Sequence, residues 1–227
     1  MFLEKTMDNN KIGLSLPKGD ALPFLSEQLN KINFPIDGYR SENRTYRPTV
    51  DQLPVRAKIM AEKDVALQVA AGNYDVGFCG KDWIEEYSAR FSASRLQILF
   101  TIGQANQSVF VCSGKGGTIN AMSDLDSCSD FIEIVSEYPN LAENFAIHSR
   151  LKRFKIFSAW GSVEAYPPEH AHLAILKASD ESALQKNHLI PLKKLFDVNL
   201  CLVVNFHAYQ SKDLTPVLQY FIALEEN

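Results

Sequence analysis

The sequence predicts an α/β protein whose sheets are mostly parallel and whose chain forms two lobes. Short apolar segments alternate with amphipathic helical segments along the chain, an order typical of parallel sheets covered by helices. The 227 residues exceed the roughly 100–200 residues usual for one domain. Because the composition changes nowhere sharply, we expect two lobes joined by crossing strands, with residues 1–106 and 195–227 in the first and 107–194 in the second.

The predicted first lobe opens with a strand, a turn and a helix. Residues 11–16 alternate as an apolar strand, and the turn at 17–20 leads into a helix with leucines at helical spacing. A helix over 63–71 ends at Gly72, where glycine is the usual residue. The other predicted elements are strands at 55–60, 75–79, 96–102 and 201–205, a loop with an edge strand at 36–49, and helices from Trp83 and over 215–224.

The predicted second lobe continues the same alternation. A strand at 108–112 is followed by a glycine-rich stretch at 113–118, which we interpret as a flexible surface loop because it lacks full Walker spacing. The remaining predicted elements are helices near 121–125, over 141–149 and over 163–166, and strands at 131–135, 154–157, 173–176 and 188–192.

Charge and hydropathy exclude several classes of protein. The net charge of −4 and pI near 5.8 give no positive field, so nucleic acid is not an expected partner. No apolar run reaches the ~18 residues of a membrane span. Residues 1–10 are charged and lack the apolar core of a secretory signal. These observations predict a cytoplasmic protein that does not bind membranes.

The cysteines and histidines do not form a recognisable reactive or metal-binding pattern. The four cysteines lie far apart, without the paired spacing of zinc or redox sites, so we expect reduced and mostly buried thiols. A His-x-His pair at His170 and His172 follows Glu169, but such a pair on a loop usually faces solvent. We therefore predict no metal site and assign no catalytic residue.

One glycine-flanked strand is the most informative motif. It reads Gly72-x-x-Asp75-x-Gly77-x-x-Gly80-Lys81-Asp82, and glycines at a strand let the backbone approach a ligand closely. Spacing alone fits a tight strand-to-helix turn equally well. Three further motifs give it context: Leu16-Pro17-Lys18-Gly19, Tyr138-Pro139-Asn140 and Gly161-Ser162-Val163-Glu164. Their order and spacing resemble the short form of ATP phosphoribosyltransferase, from about residue 11 to 205.

The resemblance implies a fold, a reaction and partners. Enzymes of this family begin histidine biosynthesis as glycosyltransferases that join ATP to phosphoribosyl pyrophosphate and release pyrophosphate. The implied fold is that of type II periplasmic binding proteins, with a ligand cleft between two lobes. The implied partners are a small-molecule ligand, a second copy of the chain, and a histidyl-tRNA-synthetase-like regulatory subunit. No cofactor is implied beyond the Mg²⁺ that accompanies phosphorylated substrates. The implied ligand-binding residues are Lys18, Gly19, Asp75, Gly77, Gly80, Lys81, Asp82, Gly161, Ser162, Glu164 and Ser179.

The segment that should bind the sugar phosphate departs from the family pattern. A phosphate loop needs a glycine and small hydroxyls so that backbone amides can surround the oxygens. Glu181 stands at the glycine position, and the two acidic positions for the ribose hydroxyls are His172 and Leu176. Of the hydroxyls, Ser179 and Ser182 remain. We therefore predict an altered or impaired family activity, as in a pseudoenzyme.

Charge changes elsewhere have the same sign. Acidic residues stand where the family carries basic ones, at Asp20, Glu133 and Glu137. Like charges brought together oppose binding. We therefore expect weak binding of a polyanion, unless Lys177 or the 114–118 loop supplies phosphate contacts.

Two other functions remain open at this point. One is a non-catalytic binding or regulatory subunit, in which aromatic residues near Glu164 (Phe157, Trp160, Tyr166) stack on a ring or simply pack. The other is an enzyme with a changed substrate, in which Glu164, Lys81 or His172 acts as acid or base.

Overall fold

The computed structural model describes residues 11–43, 45–91, 95–128 and 130–225. The prediction about a secretory signal concerns residues 1–10, which lie outside that part of the chain. The elements, in chain order, are β1 (Ile12–Lys18), α1 (Ala21–Lys31), β2 (Ile36–Asp37), β3 (Thr49–Val50), β4 (Val55–Ala61), α2 (Glu62–Ala70), β5 (Val76–Gly80), α3 (Lys81–Arg90), β6 (Leu96–Gly114), α4 (Asp124–Ser127), β7 (Ile132–Ser136), α5 (Pro139–His148), β8 (Phe154–Ser158), a 3₁₀ turn (Val163–Ala165), β9 (Leu173–Ala178), α6 (Glu181–Lys186), β10 (Leu189–Asn205), α7 (Phe206–Ser211), α8 (Thr215–Phe221) and a second 3₁₀ turn (Ile222–Leu224).

The chain divides into two compact units. Unit 1 is drawn from Met1–Gly80, Ala93–Gly103 and Leu200–Asn227, and unit 2 from Lys81–Ser92 and Gln104–Asn199. The long strands β6 and β10 therefore each contribute residues to both units. Helix α3 groups with unit 2, whereas the division expected from the sequence counted it with the first lobe.

Unit 1 is built on β1, which is parallel to both of its neighbours, β4 and β5. The end of β10 adds an antiparallel strand beside β5. Strand β1 is buried at every position but its last, as expected of a strand covered on both faces. Its apolar side chains pack with Leu25 and Leu29 of α1, both fully buried, and with Phe221 of α8. This core fixes the ends of β1 and β5, where several predicted ligand residues lie.

In unit 2, β7 lies between β8 and β9 and is parallel to both, as β1 is to its neighbours in unit 1. Strand β6 runs antiparallel on the other side of β9. Helix α5 packs Leu141, Ala142, Phe145 and Ala146 on this sheet. Because β1 and β7 are each parallel to both neighbours, the prediction of mostly parallel sheets is confirmed.

Several predicted boundaries were wrong. The two strands predicted at 96–102 and 108–112 are one strand, β6, and those at 188–192 and 201–205 are one strand, β10. Helix α3 begins at Lys81 rather than Trp83, and the short helices α6 and α7 were not predicted. Polar segments such as 103–107 continue the strand because backbone pairing does not require apolar side chains. Among the described residues, no helix is long and apolar enough to cross a membrane.

Candidate functional site

The carboxyl ends of three parallel strands of unit 2 meet at one edge of its sheet. Ser136 of β7 pairs with Ser158 of β8 and with Ile175 of β9, so the segments that leave β7 and β8 start side by side, while β9 continues for three more residues. Ligands of open α/β sheets bind outside the carboxyl ends of the strands. The structure thereby places the turn with Gly161, Ser162 and Glu164 beside the end of β7, and Ser179 follows β9 further along the same direction; we call this end of the sheet the carboxyl edge of unit 2.

The turn after β8 has an unusual backbone. Gly161 has φ 86° and Ser162 has φ 53°, both in the left-handed region that glycine tolerates best. The Gly161 N–H donates to Oε1 of Glu137 at 2.6 Å, and Val163 is buried behind the turn. Glu164 follows in the 3₁₀ turn and is half-buried. Glu137, which stands where the resemblance implies a basic residue, thus binds the turn that the resemblance assigns to a ligand.

Three aromatic side chains near this turn are exposed. Trp160 is 63% exposed, Phe157 45% and Tyr166 38%. Exposed aromatic surface at a sheet edge is available for stacking on a ring.

A buried polar cluster lies below the same edge. Asp82 has no exposed surface, and its Oδ2 accepts a hydrogen bond from the Tyr138 hydroxyl at 2.7 Å. The Lys177 ammonium lies 3.2 Å from the same oxygen. Oδ1 of Asp82 has no hydrogen-bond partner within the described chain. Lys177, considered from sequence as a phosphate contact, is instead paired with an acidic side chain.

Neighbouring Lys81 places its ammonium 5.7 Å from the Phe196 ring centroid, a cation–π distance.

In the segment where the phosphate loop was predicted, the Asp180 carboxylate accepts a backbone N–H at the start of α6. Oδ1 of Asp180 accepts the Ala183 N–H at 2.8 Å and caps α6. Hydrogen bonds from Ala183 and then Ser182 lower the pKa of Asp180. Glu181, also exposed, begins the helix. The amides that open α6 therefore already serve an anion supplied by the chain.

In unit 1, the predicted ligand residues separate into two groups. Lys18 ends β1 and Gly19 follows it, and Gly80 ends the neighbouring strand β5, so they share one edge of this sheet. Lys18 is exposed, with its ammonium 5.9 Å from the Tyr46 ring centroid. Gly77 lies inside β5, where an added Cβ would overlap the Ser15 hydroxyl, so packing alone requires glycine there.

Asp75 belongs to the second group, at the other end of β5. Its Oδ2 accepts the Gly13 N–H at 2.7 Å and lies 2.6 Å from the Lys212 ammonium. These partly exposed contacts join β1 to the residue before β5 and to the residue after α7. They give Asp75 a structural role that the motif did not reveal.

The Mg²⁺ that the resemblance implies would accompany the phosphorylated substrates. No group of three or more His, Cys, Asp or Glu side chains within the described part of the chain could hold a metal ion. The two positions at which the family carries acidic residues hold His172 and Leu176. The residues present therefore do not fit a protein-held metal, and we derive no step through one.

The 114–118 loop lies in unit 2, where with Pro168 and His172 it lines a cavity. Lys115, Gly116 and Thr118 are exposed, as expected of a surface loop. Sequence reasoning missed the cap at Asp180, although an Asp before a short amphipathic run is a signal for a helix start.

The fold of the chain is that of the periplasmic-binding-protein class. The alkanesulfonate-binding protein SsuA of Xanthomonas axonopodis pv. citri matches it over 94% of this chain and 71% of its own, with a TM-score of 0.56 and 11% identity. A closer match is a chain of the ATP phosphoribosyl transferase (HisG:HisZ) complex from Thermotoga maritima. That match has a TM-score of 0.77 and 20% identity over 95% of this chain and 98% of the other.

Sequence comparison identifies the family. The ATP phosphoribosyltransferase (HisG) family model matches residues 61–223. The ATP phosphoribosyltransferase of Pelodictyon phaeoclathratiforme is 24% identical over 197 residues, which cover 87% of this chain and 64% of the relative. The chain belongs to the ATP phosphoribosyltransferase family, as the sequence motifs predicted. It spans just under two thirds of the length of that relative and 66% of the similar protein from Chlorobium chlorochromatii.

Proposed function

We propose that this chain is an ATP phosphoribosyltransferase homologue in which the transfer of a phosphoribosyl group to ATP is impaired. The single observation that carries the proposal is the hydrogen bond from the Ala183 N–H to the Asp180 carboxylate. It lies in the segment where the resemblance places the phosphate loop. A pyrophosphate group at that position would have to displace a carboxylate of the protein.

Negative charge at the start of α6 would also oppose the binding of a pyrophosphate group. Asp180 and Glu181 are both exposed at the start of α6, and the hydrogen bond from the Ala183 N–H lowers the pKa of the Asp180 carboxyl further below neutral pH. Lys177, the nearest candidate cation along the chain, is paired with Asp82. Like charges disfavour a polyanionic ligand, and catalysis by orientation and charge stabilisation fails if the phosphate is not held.

The remaining ligand contacts are proposed to come from the sheet edges. In unit 1 these are Lys18, Gly19 and Gly80, and in unit 2 the Gly161–Ser162 turn with Glu164. The aromatic surface beside that turn suits a purine ring better than a phosphate. We therefore expect a nucleotide or nucleoside to bind more readily than phosphoribosyl pyrophosphate.

A regulatory partner is part of the proposal. The matched Thermotoga maritima chain comes from a HisG:HisZ complex, which supports a histidyl-tRNA-synthetase-like subunit as the partner here. The homodimer and the cytoplasmic location stay predictions. No specific observation favours a purely non-catalytic regulatory role, the alternative that the sequence left open.

The test is an assay of the purified chain with ATP, phosphoribosyl pyrophosphate and magnesium, alone and with a HisZ-type subunit. We expect turnover well below ~1 s⁻¹, the lower end of ordinary enzyme rates. Calorimetry should detect ATP or adenosine binding and little or no binding of phosphoribosyl pyrophosphate. Turnover at ordinary rates would contradict the proposal.

A loop-restoring variant sharpens the test. Asp180→Ser combined with Glu181→Gly removes both carboxylates and recreates a glycine and a hydroxyl at the helix start. We expect this variant to bind phosphoribosyl pyrophosphate at least about tenfold more tightly, a gain of ~1.4 kcal/mol. Glu143→Gln combined with Asp126→Asn, which removes two exposed carboxylates from α5 and α4, is the matched control for a simple change in net charge. An equal gain in the control would assign the effect to net charge.

A further inference from the structure

Strand β8 forms an open edge of the sheet in unit 2. It pairs with β7 and with no other described strand. Backbone N–H and C=O groups along such an edge are free to pair with another chain. In unit 1 the edge strand β4 is partly covered, because the Ile59 N–H donates to the Tyr46 carbonyl at 2.9 Å. The described residues supply no such cover to the outer side of β8.

The hydrogen bonds to β7 show which residues of β8 face outward. At one end of the pair the Ile132 N–H donates to the Arg153 carbonyl at 3.0 Å, and at the other end the Ala159 N–H donates to the Ser136 carbonyl at 3.1 Å. Along a strand, residues that bond to one neighbour alternate with residues that face the other side. The odd-numbered residues therefore bond to β7. The outward-facing residues are the even-numbered ones, Phe154, Ile156 and Ser158.

The outward backbone groups of β8 are self-complementary. When a second copy of β8 lies antiparallel to the first about a twofold axis at Ile156, each Ile156 pairs with the other, and each Phe154 pairs with Ser158. Residues opposite each other in a hydrogen-bonded antiparallel pair exchange both of their bonds, so every outward N–H and C=O is used. Because both copies contribute the same strand, the assembly closes as a dimer.

The side chains between these pairs also match. In the same register Lys155 of one copy faces Phe157 of the other as a non-hydrogen-bonded pair, whose side chains approach most closely. Phe157 is 45% exposed. The Lys155 ammonium lies 4.9 Å from the Phe131 ring centroid and 3.9 Å from the Glu133 carboxylate. Phe157 of the second copy would give the same ammonium a second aromatic ring.

The connection that follows β8 leaves this surface uncovered. Residues 159–172 link β8 to β9 and contain only a 3₁₀ turn, where a crossover between parallel strands usually carries a helix. Trp160 follows the strand and is 63% exposed, and the exposed cations Lys152 and Arg153 precede the strand. Antiparallel pairing brings the start of one β8 beside the end of the other, so these cations meet the Trp160 indole of the second copy.

We propose that β8 is a dimerisation strand, through which a second copy of this chain extends the sheet of unit 2. Lysine on an edge strand commonly discourages such pairing, but here the Lys155 ammonium is held over the Phe131 ring. The paired segment, residues 152–160 in each copy, is short against the roughly 20–30 residues a side of a stable interface. The dimer is therefore weak, and its population depends on protein concentration.

The contact assigns the exposed aromatic residues near the Gly161 turn to two roles. Phe157 and Trp160 serve the second copy, and Tyr166 remains available to a ligand ring. The contact does not depend on the proposed transferase chemistry, since it uses backbone groups and side chains along β8.

Analytical ultracentrifugation of the purified chain over a concentration series tests the proposal. We expect a reversible equilibrium between monomer and dimer. Phe157→Lys places like charges opposite each other at two positions of the dimer and should weaken association at least about fivefold. Phe157→Glu is the matched control, because it puts a charge of opposite sign at the same exposed position. It faces Lys155 with a carboxylate and should leave the dimer as strong as the native one or stronger.

A second pair of variants tests the backbone contact. Ser158→Pro removes an outward N–H that β7 does not use, and proline is tolerated at such a position of an edge strand. We expect Ser158→Pro to fold and to dimerise more weakly, whereas Ser158→Ala keeps the N–H and should dimerise like the native chain. Melting temperatures of all four variants establish that they are folded.

Three results would overturn the proposal. The first is a native chain that stays monomeric at the highest soluble concentration. The second is a dimer that Phe157→Lys leaves unchanged, which would place the contact on another surface. The third is a monomer that loses binding to a HisZ-type subunit on Phe157→Lys and Ser158→Pro, which would assign the edge of β8 to that partner.

Discussion

Oε1 of Glu86 accepts two hydrogen bonds from Asn140, one from its backbone N–H at 3.0 Å and one from its side-chain amide at 2.7 Å. Oε2 of the same carboxylate accepts the Leu141 N–H at 2.8 Å. Asn140 and Leu141 stand in the first turn of α5, where backbone amides have no acceptor within the helix. A side chain of α3 therefore supplies the cap that α5 lacks, and the two helices are joined by it.

Stability should depend on pH through Glu86. Burial raises the pKa of its carboxyl, although the hydrogen bonds from Asn140 and Leu141 act in the opposite direction. A folded-state pKa above the unfolded value makes the stabilising contribution greatest below the unfolded pKa, near 4.5. That contribution is lost as pH rises through the folded pKa. The unfolding free energy of the native chain, relative to Glu86→Gln, should therefore fall from pH 4.5 towards neutrality in urea titrations.

The control for this pH profile is Glu85→Gln on the same helix, which removes one charge without touching α5. The difference in unfolding free energy between Glu85→Gln and the native chain should not show the pH dependence predicted for Glu86. A Glu86 contribution that grows with pH would show that the hydrogen bonds outweigh burial. Glu86→Ala should cost about 1–3 kcal/mol at neutral pH, because it leaves helix-start amides without acceptors.

Gly77 should not accept even the smallest side chain. A Cβ there would overlap the Ser15 hydroxyl and lie 2.9 Å from Val65 and 3.0 Å from Val69. We expect Gly77→Ala to lower the unfolding free energy by about 1–3 kcal/mol, as overpacking does. Adding Ser15→Ala should recover part of the loss. Full stability in Gly77→Ala alone, measured by denaturant unfolding, would show that the strand pair can move apart without cost.

The Lys177 and Asp82 side chains should show a large interaction energy when unfolding free energies are compared in a double-mutant cycle. Removing one member of a buried ion pair leaves the other uncompensated and typically costs about 3–5 kcal/mol. Since Lys177 keeps 19% side-chain exposure and Asp82 keeps none, Lys177→Met should be the more damaging single change. The double variant Asp82→Asn with Lys177→Met should lose much less than the sum of the two. Additive losses in a double-mutant cycle would mean that the pair contributes no interaction energy.

Thiol reactivity should follow burial. Burial, with a smaller contribution from Glu181, raises the pKa of the Cys112 thiol to about 12, so almost no thiolate forms at pH 8. Cys79 and Cys201 are also buried, whereas Cys128 is half-buried. Titration of the folded chain with a thiol reagent should modify Cys128 first and the other three on unfolding. Rapid modification of Cys112 in the folded chain would contradict its placement in the core.

The sequence predicted the elements that carry apolar periodicity and missed those that depend on other forces. Strands β1, β5 and β7 and helices α1 and α5 fall within a few residues of their predicted ranges, since burial determines both the pattern and the structure. The middle of β6, at residues 103–107, is polar and partly exposed, so its pattern did not predict a strand. The hydropathy pattern does not reflect the backbone pairing of these residues.

The candidate site was predictable in part for a similar reason. Gly161 and Ser162 were recognised from a local motif, and they do adopt a local turn with positive φ. The pairing of Lys177 with Asp82, and the packing of Gly114 on Pro168, join residues far apart in the chain. Such contacts depend on strand order, which a single sequence does not specify.

The long strands β6 and β10 also decide how the molecule can be dissected. Unit 1 is assembled from three separate stretches of chain and unit 2 from two. A truncation after residue 199 would remove the strand hydrogen-bonded to β5, together with α7 and α8, so no single cut isolates an intact half. Independent expression of either half would require circular permutation or a designed linker that closes the gaps left by the excised segments.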